Sequence, residues 1–287
     1  MIAMLRTALT ALTLSTTALA LPAAAACLSD DEVARLAAAI ESRQPAPTPE
    51  GLSNVDGECT RAKLNKVLQA RMGAPIGYKA GLTNPAVQKR FNHDSPVRGT
   101  LYKPMLLANG ATVDAAFGAR PVFEADLLVR ISDTSVNQAK TPQQVQAAID
   151  QVIPFIELPD LVVAAPPKLN GAAINAINVG ARLGVTGTPL PVPPNPAFAD
   201  SLRDMLVVVR GDGAEIDRGK GSDVLEHPLN AVIWLAQDLA REGLSLKPGD
   251  LVSLGSFSRP LPPKAGQAIE VEYVGLPGNP RVGLTFR

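Results

Sequence analysis

The chain has 287 residues, of which 46% are hydrophobic and 19% are charged. This length allows one sizeable core with a small accessory region. The 27 basic and 27 acidic residues give a formal net charge of zero, which argues against a protein that binds nucleic acid or a membrane surface through charge.

Residues 1–26 have the pattern of a secretory signal peptide. Arg6 precedes an apolar stretch, Pro22 interrupts it, and a run of alanines offers cleavage sites. A membrane anchor is the alternative, but the apolar core is short and rich in threonine, and no further apolar run in the chain is long enough for a membrane span. The pattern predicts a periplasmic or secreted protein. Cleavage after Ala26 would make Cys27 the first residue, so lipid anchoring at Cys27 is a second interpretation.

The chain contains two cysteines, Cys27 and Cys59. In an oxidising compartment the expected arrangement is a disulfide that closes the N-terminal segment. Their spacing neither requires nor excludes this bond.

Residues 27–74 are predicted to form a small helical cap. A capping box that begins at Ser29 predicts a helix over residues 31–43, whose apolar residues form one stripe. A loop follows, and Thr60 is predicted to cap a second helix over residues 61–72.

From residue 75 to residue 287, short strand candidates are separated by glycines and prolines. Two helices are predicted among them, over residues 141–152 and 227–243. Many strands with few helices, in no strict alternation, predict an α+β fold. The best strand candidates are residues 76–83, 122–132, 155–159, 206–211, 251–255, 268–275 and 282–287.

Two carboxylates interrupt the strand candidate VFEADLLV at residues 122–129. Glu124 and Asp126 are two residues apart, so both side chains point to one face of a strand. Glu157 lies in a similar setting in PFIELPD. Three such carboxylates suit Mg²⁺ or Mn²⁺, which prefer oxygen ligands. The spacing alone favours two acids on the solvent face of an edge strand, because alternation is common in strands.

Several segments, in one order along the chain, resemble the 2-keto-4-pentenoate hydratases of the fumarylacetoacetate hydrolase superfamily. GYKAGLT at 77–83 resembles that family's GYK-x-GLT signature, and RGTLY at 98–102 resembles its FGTL segment. Glu124-x-Asp126 is similar to its E-x-E pair. Residues 221–236 and 247–266 resemble two further family stretches.

This resemblance implies a mixed β-roll with a small helical N-terminal region, so residues 75–287 would be a metal-binding catalytic domain that forms a homo-oligomer. It implies that Glu124, Asp126 and Glu157 hold Mg²⁺ or Mn²⁺ and that Lys79 is catalytic. It further implies that four residues contact the substrate: Thr83, Thr100, Leu101 and Ser256.

The family hydratases add water to a small 2-hydroxy-dienoate, or its 2-oxo tautomer, after an enolate has formed. One departure concerns this step, because the family usually has an acid before FGTL and this chain has Val97 there. Loss of an acid-base group typically costs about 10²–10⁴-fold in rate. Asp94 lies three residues earlier on a predicted loop, and the sequence neither requires nor excludes that it replaces this acid. The alternatives are therefore a related decarboxylase or isomerase on the same scaffold, or a non-catalytic periplasmic binding protein.

Overall fold

The computed structural model describes residues 27–287. The helices, numbered in chain order, are α1 (Asp30–Ser42), α2 (Asn54–Met72), α3 (Pro85–Arg90), α4 (Pro142–Gln146), α5 (Gly171–Ala176), α6 (Ala197–Asp204) and α7 (Asn230–Arg241). The strands are β1 (Pro75–Gly81), β2 (Val97–Tyr102), β3 (Leu106–Ala108), β4 (Ala111–Val113), β5 (Glu124–Ile131), β6 (Ile149–Leu158), β7 (Leu183–Thr186), β8 (Leu190–Pro191), β9 (Leu206–Gly211), β10 (Ala214–Lys220), β11 (Leu251–Ser253), β12 (Ala268–Val274) and β13 (Arg281–Phe286).

The strands form two curled sheets that share the main core. The larger sheet has the order β2-β1-β11-β5-β6-β7-β3, with β8 paired to β6, and the smaller has the order β10-β9-β12-β13-β4. Alternate β5 residues such as Leu127 and Val129 are fully buried in one cluster with Val271 of β12 and Leu284 of β13. Because side chains alternate along a strand, the other face of the larger sheet is left for different contacts. The predicted α+β roll is confirmed.

The seven strand predictions correspond to observed strands, but the helix predicted over residues 141–152 is wrong beyond its first turn. The helix α4 ends at Gln146, and β6 begins at Ile149. Ile149, Val152, Ile153 and Ile156 recur at helical spacing, yet they are buried in a strand that pairs with β5 along its length. A continuous apolar run fits the spacing of a helix and that of a strand equally well, so the pairing with neighbouring strands determines which of the two forms.

The second helix of the N-terminal region begins earlier than predicted. Ser53, and not Thr60, is its N-cap, because Ser53 and Asp56 form a reciprocal capping box. Gly57 lies inside this helix where α2 meets α5, and a Cβ there would lie 2.4 Å from the Ala172 carbonyl oxygen. The glycine that looked like part of a loop therefore permits a close helix contact.

The helix α1 begins at the predicted Ser29 capping box. Both α1 and α2 pack into a second core cluster, which also contains Val97, Ile174 and Val179 from the rest of the chain. The division into a 27–74 cap and a 75–287 catalytic domain remains a prediction. Within residues 27–287, no helix combines the length and the apolar character needed to cross a membrane.

Cys27 and Cys59 form the expected disulfide, with 5.7 Å between their Cα atoms. The bond attaches the segment before α1 to the first half of α2. Because its sulfur is bonded to Cys59, Cys27 is not available for a lipid, and the lipid-anchor interpretation is corrected.

Replacing both Cys27 and Cys59 by serine should lower the free energy of unfolding. The bond closes a loop with a sequence separation of 32, and loops of this size contribute roughly 3–4 kcal/mol in the chain-entropy model. Urea unfolding of the oxidised native protein and of the double variant measures the difference. Equal midpoints, or two free thiols in the unreduced denatured protein, would contradict the prediction.

Candidate active site

One face of the larger sheet brings the predicted catalytic and metal residues together. Directly paired residues share a face, and the register pairs Lys79 of β1 with Ser253 of β11, and Glu124 of β5 with Glu157 of β6. Asp126 lies two residues beyond Glu124, and its Oδ2 accepts a 2.5 Å hydrogen bond from the Ser253 hydroxyl. Four adjacent strands therefore supply one polar cluster.

Lys79 is the positive group of this cluster. Its side chain is 4% exposed and forms an ion pair with Glu157, whose side chain is 5% exposed. The same ammonium donates to the main-chain carbonyl of Val179 at 3.1 Å. Lys79 is therefore a buried cation with one charged and one neutral acceptor.

Asp126 is fully buried, and hydrogen bonds hold both of its oxygens. Besides the Ser253 contact, Oδ1 accepts the main-chain N–H groups of Gly255 at 3.0 Å and Leu127 at 2.5 Å. Gly255 has a φ of 107°, which a residue with a side chain rarely adopts, and a Cβ there would lie 2.2 Å from Thr83 Oγ1. The glycine after β11 therefore lets the chain turn against Asp126 and Thr83.

Glu124 and Asp126 both have raised pKa values. Burial, followed by repulsion from Glu157, raises the pKa of Glu124 to about 8. Burial and the same repulsion raise the pKa of Asp126 to about 7. Lys79 lowers the pKa of both groups without offsetting these effects. At neutral pH the cluster therefore favours either bound protons or an additional cation.

The chemistry of this donor set fits a hard divalent cation, because it consists of carboxylate oxygens in a place where negative charge is costly. Within residues 27–287, however, no three His, Cys, Asp or Glu side chains converge in the geometry of an assembled metal site. The ammonium of Lys79 lies on Glu157 instead. The assignment of Glu124, Asp126 and Glu157 as ligands therefore stays a prediction.

Two of the predicted substrate residues lie beside the cluster. Thr83 is buried against Gly255. Ser256 lies near Glu124, whose pKa it lowers, and its hydroxyl donates to the Ser258 carbonyl at 2.7 Å. Both residues are close enough to the carboxylates for the predicted role.

The other two predicted substrate residues lie on β2. Leu101 pairs with Gly77, so it shares the face of Lys79. It belongs to a small apolar cluster on that face with Leu128, Ile153 and Phe155. Thr100 pairs with Tyr78 on the opposite face, and its main-chain N–H and carbonyl are bonded to Asn178. The register therefore favours Leu101 over Thr100 as a residue that contacts a ligand.

Val97, which stands where the family has an acid, is buried in the N-terminal core cluster. Asp94 is exposed and lines an open surface cavity of about 560 Å³ with His93. His227 bonds to the Ala199 carbonyl and to the Leu229 N–H, so its ring connects main-chain segments. Burial lowers the pKa of His227.

Sequence reasoning missed Val179 and Asn178, which contact Lys79 and Thr100. A contact made through a main-chain carbonyl leaves no signal in residue type. The one available hint is the Asn178-Val179-Gly180 tripeptide, since Asn and Gly tolerate left-handed backbone.

No family model matches the sequence. Individual proteins are similar over most of its length. The 2-oxo-hept-4-ene-1,7-dioate hydratase of Escherichia coli is 30% identical over 82% of this chain and 86% of the relative. The 2-keto-4-pentenoate hydratase of Paraburkholderia xenovorans (strain LB400) is 28% identical over 78% of this chain and 81% of the relative.

Among solved structures, the 4-oxalocrotonate decarboxylase from Pseudomonas putida G7, complexed with magnesium and adipate, matches with a TM-score of 0.77. It is 26% identical to this chain and covers 91% of this chain and 99% of its own. The same enzyme has been solved with calcium and acetate.

The prediction of a periplasmic or secreted protein is contradicted by the similarity of the chain to 2-keto-4-pentenoate hydratases. Residues 1–26, on which the prediction of a signal peptide was based, lie outside the described residues. The alternative of a non-catalytic periplasmic binding protein is likewise not supported, because these relatives are enzymes.

The motifs, the folded architecture and the relatives agree. The chain carries the GYK-x-GLT signature on β1 and its paired carboxylates on β5, and it aligns with hydratases over most of both lengths. It therefore belongs to the 2-keto-4-pentenoate hydratase family within the fumarylacetoacetate hydrolase superfamily.

Proposed function

We propose that the protein is a metal-dependent hydro-lyase, active as a homo-oligomer, that adds water to a small 2-hydroxy-dienoate or its 2-oxo tautomer. The observation that carries this proposal is the single sheet face on which Lys79 lies among Glu124, Asp126 and Glu157. The hydratases that are similar to this chain support the reaction class.

In this proposal Glu124, Asp126 and Glu157 hold Mg²⁺ or Mn²⁺. A bound divalent cation would supply Lewis-acid polarisation of an oxygen of the substrate. The decarboxylase that resembles this chain was solved with magnesium and with calcium, in each case together with a carboxylic acid. These complexes support the presence of a divalent cation without choosing the ion.

Lys79 would stabilise negative charge that develops on the C2 oxygen of the substrate. Its ammonium is buried, so its interaction with a nearby anion is screened far less than it would be in water. The Val179 carbonyl holds it in place without cancelling its charge. The apolar cluster of Leu101, Leu128, Ile153 and Phe155 continues the same face and would receive the hydrocarbon chain.

Val97 supports a second candidate, a decarboxylase of a related vinylogous 2-oxo acid. This residue is buried among apolar side chains, so it brings no acid-base group for the hydration step. A decarboxylation needs the enolate to be stabilised, which Lys79 and the carboxylate site would still do, but needs no activated water. The structural similarity to 4-oxalocrotonate decarboxylase agrees with this alternative.

The assay that separates the candidates uses the purified protein with 2-hydroxypenta-2,4-dienoate, with 4-oxalocrotonate, and with either Mn²⁺ or a chelator. A hydratase should remove the dienol absorbance of the first compound in a metal-dependent way, without releasing CO₂. A decarboxylase should release CO₂ from the second compound only. Absence of both reactions at millimolar substrate and metal would contradict the proposal.

A further inference from the structure

We infer that Asn178 is a positioning residue for Lys79, because it holds the turn whose Val179 carbonyl accepts from the ammonium. The function of this arrangement rests on the catalytic role proposed for Lys79. The side-chain hydrogen bonds of Asn178 go to Thr100 and Asn65, so Asn178 would act on Lys79 only through the backbone that it fixes.

The turn has an unfavourable backbone conformation. Asn178, Val179 and Gly180 have φ values of 56°, 54° and 65° in succession. A left-handed conformation is tolerated by Asn and Gly, but it is rare for a β-branched residue such as Val179. Such a conformation persists only where the surroundings determine it, and it is concentrated at functional sites.

The side chain of Asn178 holds the turn in this left-handed conformation through hydrogen bonds. It is buried, its Oδ1 accepts the Thr100 N–H at 2.8 Å, and its Nδ2 donates to the Thr100 carbonyl at 3.1 Å. Asn65 of α2 adds a bond to the same Oδ1 at 3.2 Å. The amide thereby replaces the strand partner that Thr100 lacks on this side and fixes the turn to β2.

Two glycines let the turn lie directly on the strands. A Cβ on Gly99 would be 2.8 Å from both the Asn178 carbonyl oxygen and the Lys79 Cγ. A Cβ on Gly81 would be 2.4 Å from Val179 Cγ1. The turn and the aliphatic part of Lys79 are therefore in contact over the same small area.

The Val179 carbonyl gives Lys79 an acceptor that carries no net charge. Glu157 attracts the ammonium strongly, but its charge is also required by any cation bound to the carboxylates. The Val179 carbonyl would keep the ammonium in one place whether or not a cation is bound to the carboxylates. Its loss should therefore affect the placement of Lys79 more than the folding of the sheet.

The test compares Asn178→Gly with Asn137→Gly. Asn137 makes the same pair of bonds far from the cluster, since it donates to the Leu246 carbonyl and accepts the Leu246 N–H, each at 2.9 Å. Glycine keeps the left-handed backbone of residue 178 accessible. Thermal unfolding first establishes that the two variants lose comparable stability.

The direct readout is the rate at which Lys79 is acetylated by acetic anhydride, measured by peptide mass spectrometry without metal or substrate. Asn178→Gly should raise this rate at least about fivefold, since a released side chain opens more often. Asn137→Gly should leave it at the native value. Equal rates in the two variants would overturn the inference.

The kinetic experiment measures kcat and KM separately for each variant. A misplaced catalytic group lowers kcat by up to about 10²-fold, so Asn178→Gly should lower kcat at least about tenfold with little change in KM. Asn178→Asp keeps the acceptor for the Thr100 N–H, so its kcat should lie between those of the native protein and Asn178→Gly. If Asn178→Gly does not fold, Asn178→Asp takes its place in the acetylation experiment. A Lys79 acetylation rate equal to that of the native protein would then overturn the inference. If the native protein turns over no dienoate, the proposed function fails, whereas the labelling comparison still decides the placement of Lys79.

Discussion

Glu124→Gln is expected to weaken divalent-metal binding by more than about 100-fold, because a ligand is removed and loss of an outer-shell partner alone costs roughly 10–100-fold. Glutamine preserves the volume and one carbonyl oxygen but removes a charge. Calorimetric titration with Mn²⁺ measures the difference. Equal heats for the native protein and the variant would contradict the carboxylate site.

In the metal-free protein at alkaline pH, Glu124→Gln should increase the stability of the folded state. The pKa of Glu124 rises from 4.5 to about 8 on folding, mainly because the group is buried. Between these values the folded state binds more protons than the unfolded state, so the stability contributed by Glu124 is full below pH 4.5 and is lost as the pH rises through about 8. Glutamine does not ionise, so this loss disappears.

Thermal unfolding of the metal-free proteins at about pH 5 and about pH 9 checks the sign, since only the upper pH lies above the folded pKa. The native protein should lose stability at the higher pH relative to Glu124→Gln, and Mn²⁺ should restore the native protein by binding its folded state. Glu50→Gln is the matched control, because Glu50 pairs with Lys168 at the surface, where both side chains are about 60% exposed. A native protein that is equally stable at both pH values would show that Glu124 ionises freely.

The spacing of Glu124 and Asp126 predicted correctly that they share a face, because alternation is a local property of any strand. The pairing of Glu124 with Glu157 is not local. It depends on β6, whose first four residues the sequence predicts to be helical, because its isoleucines and valine recur at a spacing that fits both a helix and a strand. The family resemblance, and not the residue pattern, brought Glu157 into the predicted site.

The support around the site was the least predictable part. Ser53 replaces Thr60 as the cap of α2, and Asn65 of that helix donates a hydrogen bond to Asn178. The contact between Val179 and Lys79 uses a carbonyl that every residue possesses. Interactions of this kind follow from three-dimensional packing, and neither propensity nor a motif encodes them separately.

Lys79→Met is expected to lower turnover by about 10²–10³-fold, the range for loss of one group that stabilises developing negative charge. Methionine is one atom shorter than lysine but keeps the apolar part of the side chain, so the packing against Gly99 survives. It removes the cation that lies on Glu157. Loss of one partner of a buried pair costs about 3–5 kcal/mol, so the metal-free variant should unfold at a lower urea concentration.

Metal should reverse much of this destabilisation, and this reversal distinguishes a catalytic lysine from a structural one. Glu157 no longer binds an ammonium in Lys79→Met, so its carboxylate is free for a cation and Mn²⁺ should stabilise the variant at least as strongly as the native protein. Turnover should nevertheless stay low when the fold and the metal are restored. Lys63→Met is the control, since Lys63 pairs with an exposed Asp30 and should change neither quantity. If Mn²⁺ restored native turnover to Lys79→Met, Lys79 would be only the counter-ion of the carboxylates, and the chemistry would have to come from the carboxylate site alone.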